Sequence, residues 1–235
     1  YALLAGMGIP VQRALVMLLV VAAALLHGRE IAPSRVLMLA LGAVLVFDPW
    51  AVLAPGFWLS FGAVATILFV IGGRVTPLAG WWSALRIQLA ISLASLPLLL
   101  ALFQSFSVVG PLANAIAIPL VSFVVTPLVL AAQVLPAEWP LALAHLLTDW
   151  MMWGMAWLAA PGFALWQQAR PPLILVLAGA VATAVLLLPR PAPGKAVAVL
   201  VLLALLGWSP PRPPPGAFRL TALDVGQGLA VHVQT

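Results

Sequence analysis

The chain has no cysteine, and few of its residues are charged. The absence of cysteine excludes disulfides, thiolate metal sites and cysteine nucleophiles. Only 6% of the 235 residues are charged, against about 25% in ordinary soluble domains. Five acidic and ten basic residues cannot cover the exterior of a soluble domain of this length, so the outer solvent must be lipid. The arginines are scattered at segment ends, which is not the pattern of a nucleic-acid-binding basic patch.

Apolar residues make up 65% of the chain, and the mean hydropathy is +1.19. A membrane-spanning helix needs about 20 mostly apolar residues. Runs of this kind, separated by charges, Pro and Gly, predict an all-α polytopic membrane protein with about 7–8 transmembrane helices. The runs are roughly 11–27, 33–47, 56–73, 84–103, 113–135, 140–160, 171–188 and 195–208. The second and last are short enough to be re-entrant or interfacial pieces.

The distribution of Lys and Arg predicts how the chain is oriented. With eight crossings, Arg13 and Arg170 lie on one side, and the other side receives Arg29, Arg35, Arg74, Arg86, Arg190 and Lys195. Cytoplasmic loops carry the excess of positive charge. The richer side is therefore expected to be cytoplasmic, and the C-terminal tail to lie outside the cytoplasm.

The composition changes abruptly after Trp208. Residues 209–217 are rich in proline and predict a stiff, extended linker. Residues 218–235 alternate apolar and polar positions on both sides of a Gly-containing turn, which predicts a short β-hairpin. The expected organisation is a membrane domain at 1–208, the linker, and the start of a soluble domain. Because the chain opens at Tyr1 inside an apolar stretch and stops within this hairpin, we expect it to be part of a longer protein.

Two stretches together resemble one family, the ComEC competence proteins. In the membrane domain, Asp48–Trp50 followed by Pro55–Val64 is similar to the family's Asp-Pro … Pro-Gly-Phe-x-Leu-Ser-Phe-x-Ala-Val motif. Shorter similarities lie at Gly8–Ala14 and Leu112–Leu120. In the tail, Leu223–Gly228 is similar to the first strand and turn of a metallo-β-lactamase-like domain, where many members have an acidic residue in place of Leu229.

The resemblance implies transport of single-stranded DNA across the bacterial inner membrane during natural transformation. The implied partners are membrane lipid, single-stranded DNA and other DNA-uptake proteins, namely a periplasmic DNA receptor and cytoplasmic helicase or single-strand-binding proteins. The family's metal ligands lie downstream of the tail motif, whose residues here are Asp224, Gly226, Gln227 and Gly228. Since His27, His145 and His232 are isolated from companion ligands, we expect no cofactor, no metal site and no enzymatic activity in this chain.

Several polar or helix-breaking residues within the apolar runs are candidates for a DNA path or channel wall. Asp149 lies within a run, four residues after His145, so the two side chains are expected to form a buried pair or to line a hydrated path. The fourth and fifth runs contain uncharged polar residues that either bond helix to helix or form a pore wall. These residues are Gln88, Ser92, Ser95, Gln104, Asn114, Ser122 and Thr126. The candidate path residues are Arg13, Pro55, Gly56, Phe57, Ser60, Phe61, Asn114, Pro119, His145, Asp149 and Trp153.

Two other functions are compatible with a membrane domain of this kind. A small-molecule secondary transporter would be built from a repeated membrane unit with a site of broken helices, and no convincing repeat is found. A structural membrane subunit would contain no hydrated path.

Overall fold

A computed structural model describes residues 2–3, 5–26, 32–72, 81–135, 137–188, 193–211, 213–214, 216–224 and 229–234. Helices occupy all eight positions that the apolar runs predict. They are α1 (Ile9–Leu26), α2 (Pro33–Phe47), α3 (Pro55–Gly72), α4 (Trp81–Phe103), α5 (Gly110–Leu120) continued by α6 (Thr126–Ala132), α7 (Trp139–Ala159), α8 (Leu173–Leu187) and α9 (Lys195–Leu206).

Four helical stretches of the described residues are long and apolar enough to cross a membrane: Ile9–Leu26, Pro55–Gly72, Trp82–Phe103 and Gly110–Ala132. The helices α2, α8 and α9 are apolar but have only 15, 15 and 12 residues. These features make the chain a membrane protein. The count of seven to eight crossings remains a prediction, because the shorter helices fall below the usual spanning length.

The first three helices pack into a bundle around two phenylalanines of α3. Pro55 is the first residue of α3, as expected for a residue whose fixed φ suits the first helical turn. Phe57 and Phe61 are 1% and 5% exposed, with ring centroids 4.8 Å apart. They pack against Ala40, Val44 and Ala51. Both rings therefore hold helices together, and the expectation that they also line a path stays a prediction.

The helices α4, α8 and α9 form a second packed unit. The buried face of α8 carries Val176, Gly179, Ala182 and Thr183, a stripe of mostly small residues that lets neighbouring helices approach closely. A Cβ on Gly179 would lie 2.8 Å from Leu205 Cδ2 of α9 and 3.4 Å from Pro97 Cγ of α4. Gly179 is thus the point where the three helices meet.

A short antiparallel sheet inside the membrane domain corrects the all-α expectation. Strand β1 (Ser105–Ser107) pairs with β2 (Leu165–Gln167). The turn into β1 places Gln104 at a φ of 57°, and the Gln104 carbonyl accepts a hydrogen bond from the Gln168 amide at 3.0 Å. Gln168 Nε2 donates to the Leu205 carbonyl at the end of α9, at 2.9 Å. Three-residue strands are too short for their alternation to be recognised in a sequence.

The run from α5 to α6 is one helix with an irregular centre. Residues Val121–Val125 form a π-helical segment between Pro119 and Pro127. Proline lacks the amide hydrogen that an α-helix needs, and its ring clashes with the carbonyl four residues earlier, so a local change of hydrogen-bond register accommodates it. Helix α7 packs along this run.

The predicted C-terminal hairpin is confirmed. Strand β3 (Arg219–Asp224) pairs antiparallel with β4 (Leu229–Gln234), and Asp224 lies opposite Leu229. The turn residues Gly226, Gln227 and Gly228 lie outside the described residues. The assignment of this hairpin to a metallo-β-lactamase-like domain stays a prediction.

Replacing Gly179 by valine is expected to destabilise the full-length protein by about 1–3 kcal/mol, because the new side chain overlaps Leu205 in a closely packed contact. Gly154, in the middle of α7, is the matched control, since a Cβ there meets no atom within 4 Å. Thermal unfolding of both variants in detergent measures the difference. Equal unfolding temperatures for Gly179→Val and Gly154→Val would contradict the proposed helix contact.

Candidate functional site

A cleft with a mostly apolar lining and one polar wall lies between α4 and α5. Its volume is about 370 Å³, and its polar wall is formed by Gln88, Ser92, Ser95, Ser107 and Asn114. Gln88, Ser92 and Ser95 have the spacing of one helix face, so α4 presents them together. Ser95 Oγ donates to the Ser92 carbonyl at 3.1 Å. The cleft brings together four of the uncharged polar residues named in the two runs, Gln88, Ser92, Ser95 and Asn114, whereas Gln104, Ser122 and Thr126 are not among its lining residues.

The glycine at the start of α5 lets the β1 segment, which includes Ser107, pack closely against the helix. Gly110 begins α5, and a Cβ there would lie 3.2 Å from Ser107 Cβ. The missing side chain therefore lets the β1 segment pack against the helix. Asn114 follows one turn later and is exposed. Among the wall residues, Ser107 was missed by the sequence analysis. No sequence signal marks it, because the strand that places Ser107 has only three residues.

A smaller cleft of about 100 Å³ lies on the other side of α4, against α3. Its lining includes Gly62, Thr66 and Ser95, so Ser95 borders both clefts. Thr66 Oγ1 donates to the Gly62 carbonyl at 2.7 Å and is thereby satisfied within its own helix. The candidate Ser60 is half-buried on α3, and its neighbour Leu59 contributes to this lining.

Arg13 is buried beside the N-terminal end of α3. It lies in the second turn of α1, is 7% exposed, and extends over Gly56 at the start of α3. Nη2 and Nη1 lie 2.8 and 3.4 Å from the position that a Cβ on Gly56 would take. Nε and Nη1 are buried without a hydrogen-bond partner in the described part of the chain. An unsatisfied buried group costs about 1–3 kcal/mol, and more when it is charged.

His145 and Asp149 form the pair that their spacing predicts. His145 Nε2 lies 3.2 Å from Asp149 Oδ2, but the side chains are 78% and 61% exposed. The expectation of a buried pair is therefore wrong for this structure. Asp149 lines a shallow hollow with Trp150 and Trp153 on the outer face of α7. Because a carboxylate is costly against hydrocarbon, this face needs water or protein beside it.

The structure does not bring all the candidates together. Asn114 lines the α4–α5 cleft. Arg13 and Gly56 meet at the N-terminal end of α3. His145, Asp149 and Trp153 lie on the outer face of α7. Pro119 is exposed just before the π-helical segment. Within the described ranges, no three His, Asp or Glu residues come together to hold a metal ion. His27 lies outside those ranges, and the absence of a cofactor stays a prediction.

Comparison with known proteins assigns the membrane domain to a family. A model of the competence protein family matches residues 1–192. The chain belongs to the competence protein family. The match covers every transmembrane candidate, the α4–α5 cleft and Arg13, and it confirms the resemblance carried by Pro55–Val64.

Curated proteins similar to this competence-family chain come from three bacteria. The competence protein ComA of Neisseria gonorrhoeae is 40% identical over 241 residues, covering 100% of this chain and 34% of ComA. The uncharacterised protein YcaI of Escherichia coli K12 is 33% identical, covering 99% of this chain and 32% of YcaI. Recombination protein 2 of Haemophilus influenzae is 35% identical over 144 residues, covering 56% of this chain and 18% of that protein. No solved structure matches the chain.

The chain thus spans about a third of the length of the two curated relatives that match nearly all of it. About two thirds of each relative has no counterpart in this chain.

Ser92→Cys in the full-length protein, in a background without other cysteines, is expected to react with a membrane-impermeant thiol reagent, because the cleft offers water to its wall. Val181→Cys is the matched control: Val181 is 65% exposed in the middle of α8 and is apolar, so lipid should shield the new thiol. Mass spectrometry of the labelled membranes gives both rates. Labelling of position 181 as fast as position 92 would show that the cleft is not hydrated.

Proposed function

We propose that this chain forms much of the wall of a path by which single-stranded DNA crosses the bacterial inner membrane during natural transformation. Membership of the competence protein family supports a role in DNA uptake. The observation that carries the proposal is the polar wall of the cleft between α4 and α5, because polar side chains at membrane depth are favourable only where they meet each other or water.

The chemistry of the cleft suits a strand of varied sequence. Hydroxyl and amide groups of Ser92, Ser95 and Asn114 can donate to or accept from nucleotides without selecting one base. A path that accepts any sequence must avoid base-specific readout, and phosphate or sugar contacts provide that tolerance. Trp150 and Trp153 lie apart from this cleft, on the outer face of α7, where their exposed rings offer a separate surface on which bases can stack.

The proposed path acts together with other components. The chain supplies no group for chemistry in this proposal, so the driving force comes from partners. These are a DNA receptor on the periplasmic side and a helicase or single-strand-binding proteins in the cytoplasm. The exposed pair His145–Asp149 is placed beside water or beside parts of the protein that lie outside this chain.

Blocking the cleft tests the proposed path. Ser92→Cys carrying a bulky thiol adduct is expected to abolish the arrival of labelled DNA in the cytoplasm of a transformable host, because the adduct occupies the cleft. The same variant carrying a methylthio group, and Val181→Cys carrying the bulky adduct, should transport normally. Nuclease protection of the label measures internalised strand.

The rival functions give different outcomes in the same assay. For a structural membrane subunit, or for a small-molecule transporter, the bulky adduct at position 92 leaves DNA uptake unchanged. If the chain is a small-molecule transporter, the bulky adduct instead blocks uptake of a solute. Measuring metabolite uptake with the bulky adduct and with the methylthio adduct would reveal this.

The orientation of the tail provides a second test of the arrangement. A reporter fused after Ala217 is expected to lie on the periplasmic side, because eight crossings and a cytoplasmic excess of Lys and Arg place the tail there. Alkaline phosphatase, which is active outside the cytoplasm, should be active in this fusion, and a fusion at position 29, between α1 and α2, should be inactive. An inactive tail fusion would exclude the eight-crossing arrangement.

A further inference from the structure

We propose that Arg13 and the first turn of α3 form a phosphate-binding site for the DNA strand. The inference rests on the proposed function, since it names the chemical group that the path would hold at this end of the membrane domain. The site is defined by two features: a guanidinium that is nine-tenths buried with unpartnered nitrogens, and a helix N-terminus directly beneath it.

The electrostatics of this arrangement require an anion. The N-terminus of an α-helix carries a partial positive charge, which favours negative groups and disfavours a guanidinium. Arg13 nevertheless extends over Gly56, the second residue of α3. The ion pair found among the described residues joins His145 to Asp149, and no carboxylate of the described part of the chain pairs with Arg13. A buried guanidinium thus lies beside the partial positive charge of a half-buried helix end, and no carboxylate of the described part of the chain balances them.

The donors of the guanidinium suit a phosphate. Gly56 provides no Cβ, and this leaves the space that the guanidinium occupies above the helix end. Arg presents planar donors that match phosphate oxygens. At the start of α3, Pro55 has no amide hydrogen and the Phe57 amide donates to the Ala54 carbonyl at 3.0 Å, so the guanidinium supplies the main contact to a phosphate. A phosphodiester makes these contacts whatever its base, which a path for varied sequences needs.

The position of the site fits the proposed direction of transport. Arg13 lies in the second turn of α1, and α3 runs parallel to α1 because α2 returns between them. In the proposed orientation, this end of both helices faces the periplasm. A strand entering from outside would meet Arg13 before it reached the centre of the membrane.

The test measures how binding of a strand depends on salt. Full-length protein in phosphatidylcholine nanodiscs is titrated with dye-labelled oligothymidine over a range of NaCl concentrations. Arg13→Gln is expected to weaken binding about tenfold at low salt, and to reduce the slope of log K against log salt by about 0.7, the contribution of one phosphate contact on a single strand. A purely structural role would not change this slope.

Two further variants make the result specific. Gly56→Ala keeps the net charge and suits a helix, but its Cβ would lie 2.8 Å from Nη2 and must displace the guanidinium. It should lower the slope in the same direction. Arg35→Gln removes the same charge from an exposed residue at the opposite end of the α1–α3 bundle, and it should leave the slope unchanged.

Four outcomes would overturn the inference. If Arg13 pairs with a carboxylate outside this chain, Arg13→Gln lowers the unfolding temperature without DNA and leaves the slope unchanged. If Arg13 binds a lipid headgroup, the variant changes the dependence of stability on phosphatidylglycerol content and again leaves the slope unchanged. If the wild-type protein binds no strand, the proposed function fails together with the inference; normal wild-type binding with unchanged variants removes the inference alone.

Discussion

Close contact between helices at Gly179 is the interaction on which the arrangement of the second half of the domain depends. Lipid tails are as apolar as leucine, so burying apolar side chains between helices gains little, and packing must come from close approach. The small residues of α8 permit this approach to Leu205 of α9 and Pro97 of α4. Because α4 also packs on α3 and α5, its position determines both clefts.

Some polar side chains in this domain form a hydrogen bond within their own helix, and others have no hydrogen-bond partner there. Thr66, Thr148 and Thr183 donate to carbonyls of their own helices, which accommodates a hydroxyl at membrane depth without a ligand. Arg13 Nε and Nη1, by contrast, are buried and have no hydrogen-bond acceptor in the described part of the chain. The wall residues Gln88 and Asn114 border an open cleft. The function proposed for the chain rests on this second group.

Composition and apolar runs predicted the helices well, because lipid requires long apolar segments whose polar backbone is satisfied internally. Pro55 correctly marked the start of α3, and the alternation after the linker correctly predicted the hairpin of β3 and β4. The β1–β2 pair was missed because its two strands are three residues long and about 60 residues apart, so no local pattern joins them. The π-helical segment was missed because its prolines predict only that a helix is disturbed.

The sequence by itself determined that this is a helical membrane protein of the competence protein family, since hydrophobicity and the Pro55–Val64 motif are local properties. The tertiary structure decided which polar residues have neighbours. It placed Phe57 and Phe61 in a core, gathered Ser92, Ser95, Ser107 and Asn114 around one cleft, and left His145 and Asp149 on an outer face. Spacing along one helix predicts which residues share a face, but only the packing of neighbouring helices determines what that face meets.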